Sequence, residues 1–270
     1  MTHMNKEVRK KVLEEYPPEY CQTLECVYGN GMMSEGCIEG IELLFQGINL
    51  KKVVALDFGC GLGAVAYYLA ENYQAHVFGL DINPWMIDQC TANRPKHLES
   101  LLTFLESQTN HQLPFEDQTF DLIYSKGVLV HLDQKETLFK EIRRLLKPSG
   151  QLVICDWLSP NNSSWGERVQ KLIDIEGLTL FPFTLRQYQE LLHQAGFSNV
   201  TIRDDSQRYA DFNKDIVKKL HQTEVQERLK QLQGPLSVQE NITSYQSVAD
   251  AFEHRELRAV NFVAQSDKLS

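Results

Sequence analysis

The sequence predicts an α/β fold built on a mostly parallel sheet, and two observations support this prediction. Between residues 51 and 157, short apolar runs alternate with longer amphipathic segments, which is the pattern of strands joined by helical crossovers. The run at residues 53–58 leads into three glycines at every second position and then into a helical segment. Such a turn lets a ligand approach the backbone and the helix N-terminus. We therefore expect a ligand site at the carboxyl edge of the sheet.

Five strands are predicted in this half, each a short apolar run of the kind found in parallel sheets. In chain order they read KVVALDF, AHVFGLD, LLTFLE, FDLIYS and QLVICDW. Asn83 as a cap and Pro84 at the first helical position predict where the helix after the second strand begins. The helix before the fifth strand is expected to end at Pro148 and Gly150. Its apolar face comprises Leu138, Phe139, Ile142, Leu145 and Leu146.

The second half is less regular and contains two further strands. The segment TLRQYQELLHQAGF predicts a helix with Thr184 and Gln187 as a capping box and Gly196 as its stop. This helix leads into a sixth strand, SNVTIRD, and the run LRAVNFVAQ predicts a last strand. If the last strand pairs with the sixth, the sheet ends in an antiparallel pair.

The remaining segments are expected to cover the ligand edge of the sheet. We expect residues 1–50 to form an N-terminal helical cap and residues 51–270 to form the core. Within the core, segments at about 158–183 and 211–255 are expected to act as a lid.

Composition and charge exclude several classes of function. The formal net charge of −9, from 27 basic and 36 acidic residues, argues against nucleic acid or an anionic membrane as a partner. No apolar run approaches the roughly 18 residues that span a bilayer, and the N-terminus lacks the apolar stretch of a signal peptide. The six cysteines are scattered without a C-x-x-C pair, which favours reduced thiols in a cytoplasmic enzyme. The histidines show no metal-ligand spacing, so no metal is predicted.

The glycine loop by itself leaves the cofactor open. Gly59, Gly61 and Gly63 are spaced one residue more tightly than in the dinucleotide pattern, and no Gly-Lys-Ser/Thr follows, as a phosphate-binding P-loop requires. Asp81 lies about 20 residues beyond the glycines, where an acid can bind ribose hydroxyls, and this still allows a nicotinamide cofactor. Asp57, before the first glycine, can orient the loop or reach a ligand ammonium, whereas a nicotinamide enzyme favours an apolar residue there.

Four motifs taken together resemble the class I S-adenosylmethionine-dependent methyltransferases. They occur in the expected order over residues 51–157 and read VVALDFGCGLG, VFGLDIN, LPFEDQTFDLIYS and LLKPSGQLVI. The resemblance implies a Rossmann-like, seven-stranded, mostly parallel sheet with an antiparallel last strand and S-adenosylmethionine lying across the glycine loop. It also implies that the glycines approach the methionine part of the cofactor, that Asp81 binds the ribose and that Ile82 packs on the adenine.

The contact to the adenine amino group is a departure from the family pattern, which has an acid after the third strand. Here Glu106, Ser107 or Gln108 must serve, and Gln108 aligns with the family acid without a gap.

The N-terminal segment EEYPPEYCQTLECVYGNGMMSEG resembles that of the phosphoethanolamine N-methyltransferases and their small-amine relatives. In that group a tyrosine lies twelve residues before the aromatic residue of an aromatic-Gly pair. Tyr16 stands at this distance from Tyr28, which we place in the substrate pocket. Met33 and Ser34 fall where the group closes a segment over the cofactor.

The same group carries a histidine six residues after a serine of the fourth strand. This pattern matches His131 and Ser125, and Ser125 is expected to contact the cofactor. The resemblance implies a catalytic pair of Tyr16 and His131. A histidine titrates close enough to neutrality to help remove a proton from an amine nucleophile. The alternatives are that His131 caps the following helix and that Tyr16 makes an ordinary packing contact.

One part of the resemblance fails. The phosphobase enzymes hold the substrate phosphate with tyrosines and an arginine after the fifth strand, but the matching positions here are Trp157, Leu172, Glu176 and Leu178. A phosphate next to Glu176 would be repelled. We therefore predict methyl transfer to a small molecule, by preference to an amine nitrogen, and disfavour a phosphate-bearing substrate. The alternatives are an O-methyltransferase of a hydroxylated metabolite, a non-catalytic cofactor-binding protein and a nicotinamide oxidoreductase.

Overall fold

The seven strands form one sheet with the order β3-β2-β1-β4-β5-β7-β6 in the part of the chain that the structure describes. The structure is a computed structural model that describes residues 6–109, 112–161 and 163–266. The strands are β1 Val54–Phe58, β2 His76–Asp81, β3 Leu102–Glu106, β4 Phe120–Lys126, β5 Leu146–Leu158, β6 Phe197–Asp204 and β7 Arg258–Ser266. Residues 1–5 of the predicted cap and 267–270 of the predicted core lie outside the described residues.

Strands β1 to β5 pair in parallel, while β7 runs antiparallel to both β5 and β6. The predicted antiparallel end of the sheet is therefore confirmed. The order reverses direction at β1, because β2 and β3 lie on one side of it and β4 on the other. Ligands of open α/β sheets bind at this reversal, beside the carboxyl ends of the strands.

Eleven α-helices surround the sheet within the described residues. They are α1 Lys6–Glu15, α2 Pro18–Tyr28, α3 Cys37–Leu44, α4 Ala64–Tyr73, α5 Pro84–Asn93, α6 Glu136–Leu145, α7 Glu167–Glu176, α8 Leu185–Gln194, α9 Ser206–Leu220, α10 Thr223–Leu232 and α11 Val238–Glu253. A 3₁₀ turn, Leu129–His131, follows β4.

Helix boundaries follow the capping residues that the sequence shows. The side chain of Asn83 accepts a hydrogen bond from the Trp85 backbone N–H, and Pro84 is the first residue of α5. Thr184 and Gln187 form the predicted capping box of α8. These local signals are decided within three residues of chain, so they are read correctly without tertiary information.

The predicted stop of α6 at Pro148 and Gly150 is wrong. The helix ends at Leu145, and Leu146 already has an extended conformation and pairs with Phe120 as the first residue of β5. The fifth strand therefore begins five residues before Gln151. A proline disfavours helical geometry at the residue before it, and pairing with β4 takes the chain into the sheet earlier than the proline alone would.

The core has two layers, one on each face of the sheet, and a third apolar cluster away from it. Helices α4 and α5 pack on one face, and α6 and α8 on the other. The third cluster joins α2 to α9, α10 and α11, with Tyr20, Leu24, Ile216, Leu229 and Tyr245 among its buried residues. The N-terminal helix α2 is thus packed on helices that come some two hundred residues later in the chain.

Candidate active site

The glycine loop after β1 is held by the end of β2. The backbone N–H groups of Gly59 and Cys60 donate to the carbonyl of Leu80 at 2.8 and 2.9 Å. The N–H of Gly61 donates to Oδ2 of Asp81 at 2.9 Å, and Asp81 Oδ1 accepts from the N–H of Asn83 at 2.9 Å. One carboxylate therefore orders both the loop and the turn that starts α5.

Gly61 has a backbone conformation and surroundings that exclude a side chain. Its φ of +53° lies in the left-handed region, and a Cβ there would stand 2.9 Å from Cγ of Met33. Gly63, with φ of +84°, is the N-cap of α4. The three predicted glycines therefore differ in role, because Gly63 shapes the helix start and does not line the cavity described next.

A cavity, here called the edge cavity, opens at the carboxyl ends of β1, β2 and β4. Six of the predicted cofactor-binding residues line it: Met33, Ser34, Gly59, Gly61, Asp81 and Ile82. The remaining walls are mostly apolar and include Val12, Phe58, Met86, Val128 and Leu132. Apolar walls with a few polar groups are the usual composition of a small-ligand site.

Two predicted cofactor residues lie beneath the loop and not in the cavity wall. The Ser125 hydroxyl donates to the carbonyl of Phe58 at 2.9 Å. Asp57 is 3% exposed, and its Oδ2 has no hydrogen-bond partner among the described residues. Burial raises the pKa of this carboxyl to about 8. Ser125 thus supports the residue that precedes the loop, while the Asp57 carboxyl is buried beneath it.

The predicted adenine contact, Gln108, lies outside the edge cavity. Its side chain is exposed and accepts a hydrogen bond from the guanidinium of Arg9, which also pairs with Glu106. The two flanking residues, Ser107 and Thr109, line the cavity instead. Gln108 lies at a bend after β3, and its side chain points away from the cavity towards Arg9.

A second cavity, here called the helix cavity, lies between α2, α7 and α11. All five residues predicted for the substrate pocket line it: Tyr28, Trp157, Leu172, Glu176 and Leu178. These positions are spread over 150 residues of sequence, and the fold brings them together. The two cavities share five lining residues, which are Tyr16, Met33, Ser34, Gly127 and His131.

Tyr16 and His131 are in direct contact where the two cavities meet. The Tyr16 hydroxyl lies 3.1 Å from Nε2 of His131, and the rings stand nearly perpendicular at 83°. Nδ1 of His131 lies 3.1 Å from the carbonyl oxygen of Thr179, which can only accept. The neutral ring therefore carries its proton on Nδ1, and Nε2 accepts the Tyr16 hydrogen. Burial lowers the pKa of His131 to about 4, so the neutral form prevails at pH 7.

Glu15 and Thr179 complete this arrangement and were not found from the sequence. The backbone N–H and the hydroxyl of Thr179 donate to the Glu15 carboxylate at 3.1 and 2.5 Å. A closed path of contacts thus runs from Tyr16 through His131 and Thr179 to Glu15, the residue before Tyr16. In the sequence Thr179 stands in a loop with no motif, and its partner is 164 residues away.

The comparisons with known proteins agree with this geometry. A family model described as a methyltransferase domain matches residues 56–154, which include the glycine loop, Asp81 and His131. A phosphoethanolamine N-methyltransferase of Plasmodium falciparum is 29% identical over 193 residues, which are 70% of this chain and 71% of that protein. Residues 56–154 form a class I S-adenosylmethionine-dependent methyltransferase domain. The family predicted from the sequence is confirmed, and S-adenosylmethionine is the cofactor of that family.

Two further comparisons show how far the likeness extends. A phosphoethanolamine N-methyltransferase of Triticum aestivum is 32% identical over 190 residues, or 68% of this chain, and the chain spans 36% of that protein's length. The structure of Haemonchus contortus phosphoethanolamine N-methyltransferase 2 in complex with S-adenosyl-L-methionine superposes with a TM-score of 0.83 at 19% identity. The superposition covers 97% of this chain and 60% of the Haemonchus contortus chain. The predicted methyltransferase fold is confirmed.

The residues that line the edge cavity fit the cofactor of this family. The edge cavity offers a carboxylate at Asp81, hydroxyls at Ser34 and Ser107 and a close backbone approach at Gly61. Its apolar walls suit an adenine ring. In the described part of the chain, no group of three or more His, Cys, Asp or Glu could hold a metal, and no helix has the length and apolarity needed to cross a membrane.

Proposed function

We propose that the protein transfers the methyl group of S-adenosylmethionine to an amine nitrogen of a small acceptor bound in the helix cavity. The observation that supports this most directly is the Tyr16–His131 pair at the junction of the two cavities. A methyl group leaving the edge cavity and an acceptor entering from the helix cavity meet at these two side chains.

S-adenosylmethionine, when bound, supplies a methyl group already activated by the sulfonium. The protein therefore has to place the acceptor in line and take up a proton. As the acceptor nitrogen forms its bond to the methyl carbon, the bond from that carbon to the sulfonium sulfur would break and its electron pair would stay on sulfur. The proton of the nitrogen passes to the Tyr16 oxygen while the Tyr16 proton passes to Nε2 of His131. The Thr179 carbonyl then accepts a hydrogen bond from the Nδ1–H of a cationic ring, which strengthens that bond. His131 is the base in this proposal, and Tyr16 relays the proton.

We also propose that the acceptor does not carry a phosphate, although the relatives named above are phosphoethanolamine N-methyltransferases. Two carboxyl residues, Glu35 and Glu176, line the helix cavity, and the described lining holds no lysine or arginine. A buried anion without a cationic partner costs several kcal/mol, so a phosphate is disfavoured here.

The expectations of a cytoplasmic location and of no nucleic-acid partner belong to the same proposal. They are supported by six free cysteines and a net charge of −9.

The test is a methyl-transfer screen in which S-adenosylmethionine is offered with small amines, phenols and phosphoethanolamine, and products are identified by mass spectrometry. We expect methylated amines and little methylated phosphoethanolamine. Methylation of phenols alone would show that the pair serves an O-methyltransferase. Binding of S-adenosylhomocysteine without transfer to any acceptor would favour a non-catalytic protein, and stabilisation by NAD alone in a thermal-shift measurement would refute the cofactor assignment.

A further inference from the structure

The helix cavity contains a carboxylate in an unfavourable electrostatic position. Glu176 is the last residue of α7, where the carbonyl ends of the helix already carry partial negative charge. Its side chain lines the cavity, and burial raises the pKa of the carboxyl. A helix C-terminus normally favours a cation, so an acid at this place is expected to have a compensating partner.

The partners that the fold supplies are neutral. The Tyr20 hydroxyl donates to Oε2 of Glu176 at 2.6 Å, and the Ser244 hydroxyl donates to Oε1. The rings of Tyr28 and Tyr245 line the same end of the cavity, with centroids 5.7 Å apart. Hydroxyl donors fix the direction of a carboxylate but leave its charge uncompensated, and tyrosine faces attract cations.

This end of the cavity lies away from the point where the methyl group arrives. The ring of Tyr20 is adjacent to that of Tyr16, with centroids 5.7 Å apart, and Glu176 lies beyond it at the Tyr20 hydroxyl. An acceptor whose reacting nitrogen lies at the Tyr16–His131 pair therefore presents its other end to Glu176.

We propose that the acceptor carries a second, positively charged nitrogen, which Glu176 binds among the rings of Tyr20, Tyr28 and Tyr245. The substrate class is then a small diamine, methylated at the end opposite to Glu176. This proposal rests on the proposed function, since it deepens the choice of acceptor for the same site.

Binding of such a cation is expected to release a proton. Because the pKa of Glu176 is raised in the empty cavity, the carboxyl is partly protonated at low pH and ionises when the ammonium binds. The groups facing it are Tyr20 and Tyr16 at the α2 end, Ser244 and Tyr245 of α11, and the carboxyl of Glu35. The neutral hydroxyls do not titrate in this range, but burial also raises the pKa of Glu35, so the proton release that belongs to Glu176 is the part that Glu176→Gln removes. This release diminishes as the pH rises.

The experiment measures binding to the protein saturated with S-adenosylhomocysteine, by calorimetry in two buffers of different ionisation enthalpy. The probes are linear diamines from ethylenediamine to cadaverine, the monoamine of each length, and phosphoethanolamine. We expect at least one diamine to bind about 10- to 100-fold more tightly than its monoamine, the usual worth of a charged hydrogen bond. Glu176→Gln should remove this preference without changing S-adenosylhomocysteine affinity. The matched control is Glu190→Gln, which neutralises an exposed carboxylate on α8 and should keep the preference.

The proposal is overturned if no diamine of any length is preferred, if the preference survives in Glu176→Gln, or if phosphoethanolamine binds most tightly. The wild-type comparison needs no variant and remains decisive if Glu176→Gln does not fold. Methyl transfer is measured in parallel. Diamines that bind through Glu176 but are not methylated would refute the proposed function alone, whereas monoamines methylated as well as diamines would refute only the diamine proposal.

Discussion

The edge cavity and the helix cavity are assembled from the chain in different ways. Most of the edge cavity comes from residues 58–132, where each strand end follows the previous one after a single crossover. The helix cavity joins segments that are far apart, since Tyr20 meets Glu176 across 156 positions. The first is thus defined by local motifs, and the second by how the terminal helices pack on the sheet.

This difference assigns cofactor binding to the edge cavity and the choice of acceptor to the helix cavity. The edge cavity has the features shared by the family, namely a glycine loop and an acid at the end of β2. The helix cavity holds Glu176, Leu172 and Leu178 where a phosphate-binding site would have an arginine and tyrosines. Cofactor binding and acceptor choice should therefore respond to different substitutions, and the predictions below test that separation.

The largest effect is expected for Gly61→Val in the edge cavity. A branched side chain there is strained at φ of +53° and meets Met33, and it occupies the approach of the cofactor to the loop. We expect no measurable S-adenosylhomocysteine binding by calorimetry while the protein still unfolds cooperatively. The control is Gly47→Val, whose φ of +84° brings similar strain but whose Cβ has nothing within 4 Å. Normal binding by Gly61→Val would remove the loop from the cofactor site.

His131→Ala should lower the rate of methyl transfer without changing cofactor binding. Loss of a positioned base lowers kcat by roughly 10²–10⁴-fold, while S-adenosylhomocysteine affinity stays nearly unchanged because the loop and Asp81 are intact. Initial rates on the best amine of the screen measure the effect. His254→Ala, at an exposed histidine after α11, is the matched control and should retain full activity.

The pH profile sharpens this test. Because burial lowers the pKa of His131 to about 4, the neutral base is present at pH 7 and is lost only as the pH falls towards 4. The fall in rate that is caused by protonation of His131 should therefore lie near pH 4 and be missing in His131→Ala. The change in rate that is caused by titration of the amine acceptor should remain in the wild type and in the variant. Full activity of the variant at all pH values would leave His131 only the alternative role of capping the helix that follows.

A smaller loss of cofactor affinity is expected for Asp81→Ala, which removes the acid at the end of β2. Cofactor affinity should weaken by about 1.5–3 kcal/mol, the worth of a hydrogen bond to a charged group, and part of it arises because Gly61 loses its acceptor. Calorimetry with S-adenosylmethionine measures the change. Asp88→Ala, an exposed acid on α5, should leave affinity unchanged. If Asp81→Ala binds normally, the ribose is held elsewhere.

The sequence predicted the elements whose signals are local. Asn83 and Pro84 give the start of α5, and Thr184 gives that of α8, because cap and helix are adjacent in the chain. The start of β5 was misplaced, because its pairing with Phe120 overrides the signal of Pro148.

The candidate site shows the same division. The glycines and Asp81 follow from one motif and its spacing. Thr179 and Glu15 were missed, because their roles depend on a loop meeting the N-terminal segment, and neither residue type signals such a contact. The adenine contact of Gln108 stays a prediction, since an alignment gives the position of a residue but not the direction of its side chain, which here bonds to Arg9.

The smallest effect is therefore expected for Gln108→Ala. The side chain is exposed and bonded to Arg9, which also donates to the carbonyl of Ile82 at 3.4 Å, so it contributes to the outer rim of the edge cavity. Its removal should change S-adenosylhomocysteine affinity by no more than about twofold, below the worth of a single hydrogen bond to the ligand. Ser107→Ala changes the preceding residue, which lines the cavity, and should lower S-adenosylhomocysteine affinity by more than Gln108→Ala does. A tenfold loss in Gln108→Ala would mean that the side chain leaves Arg9 and turns to the adenine when the cofactor binds.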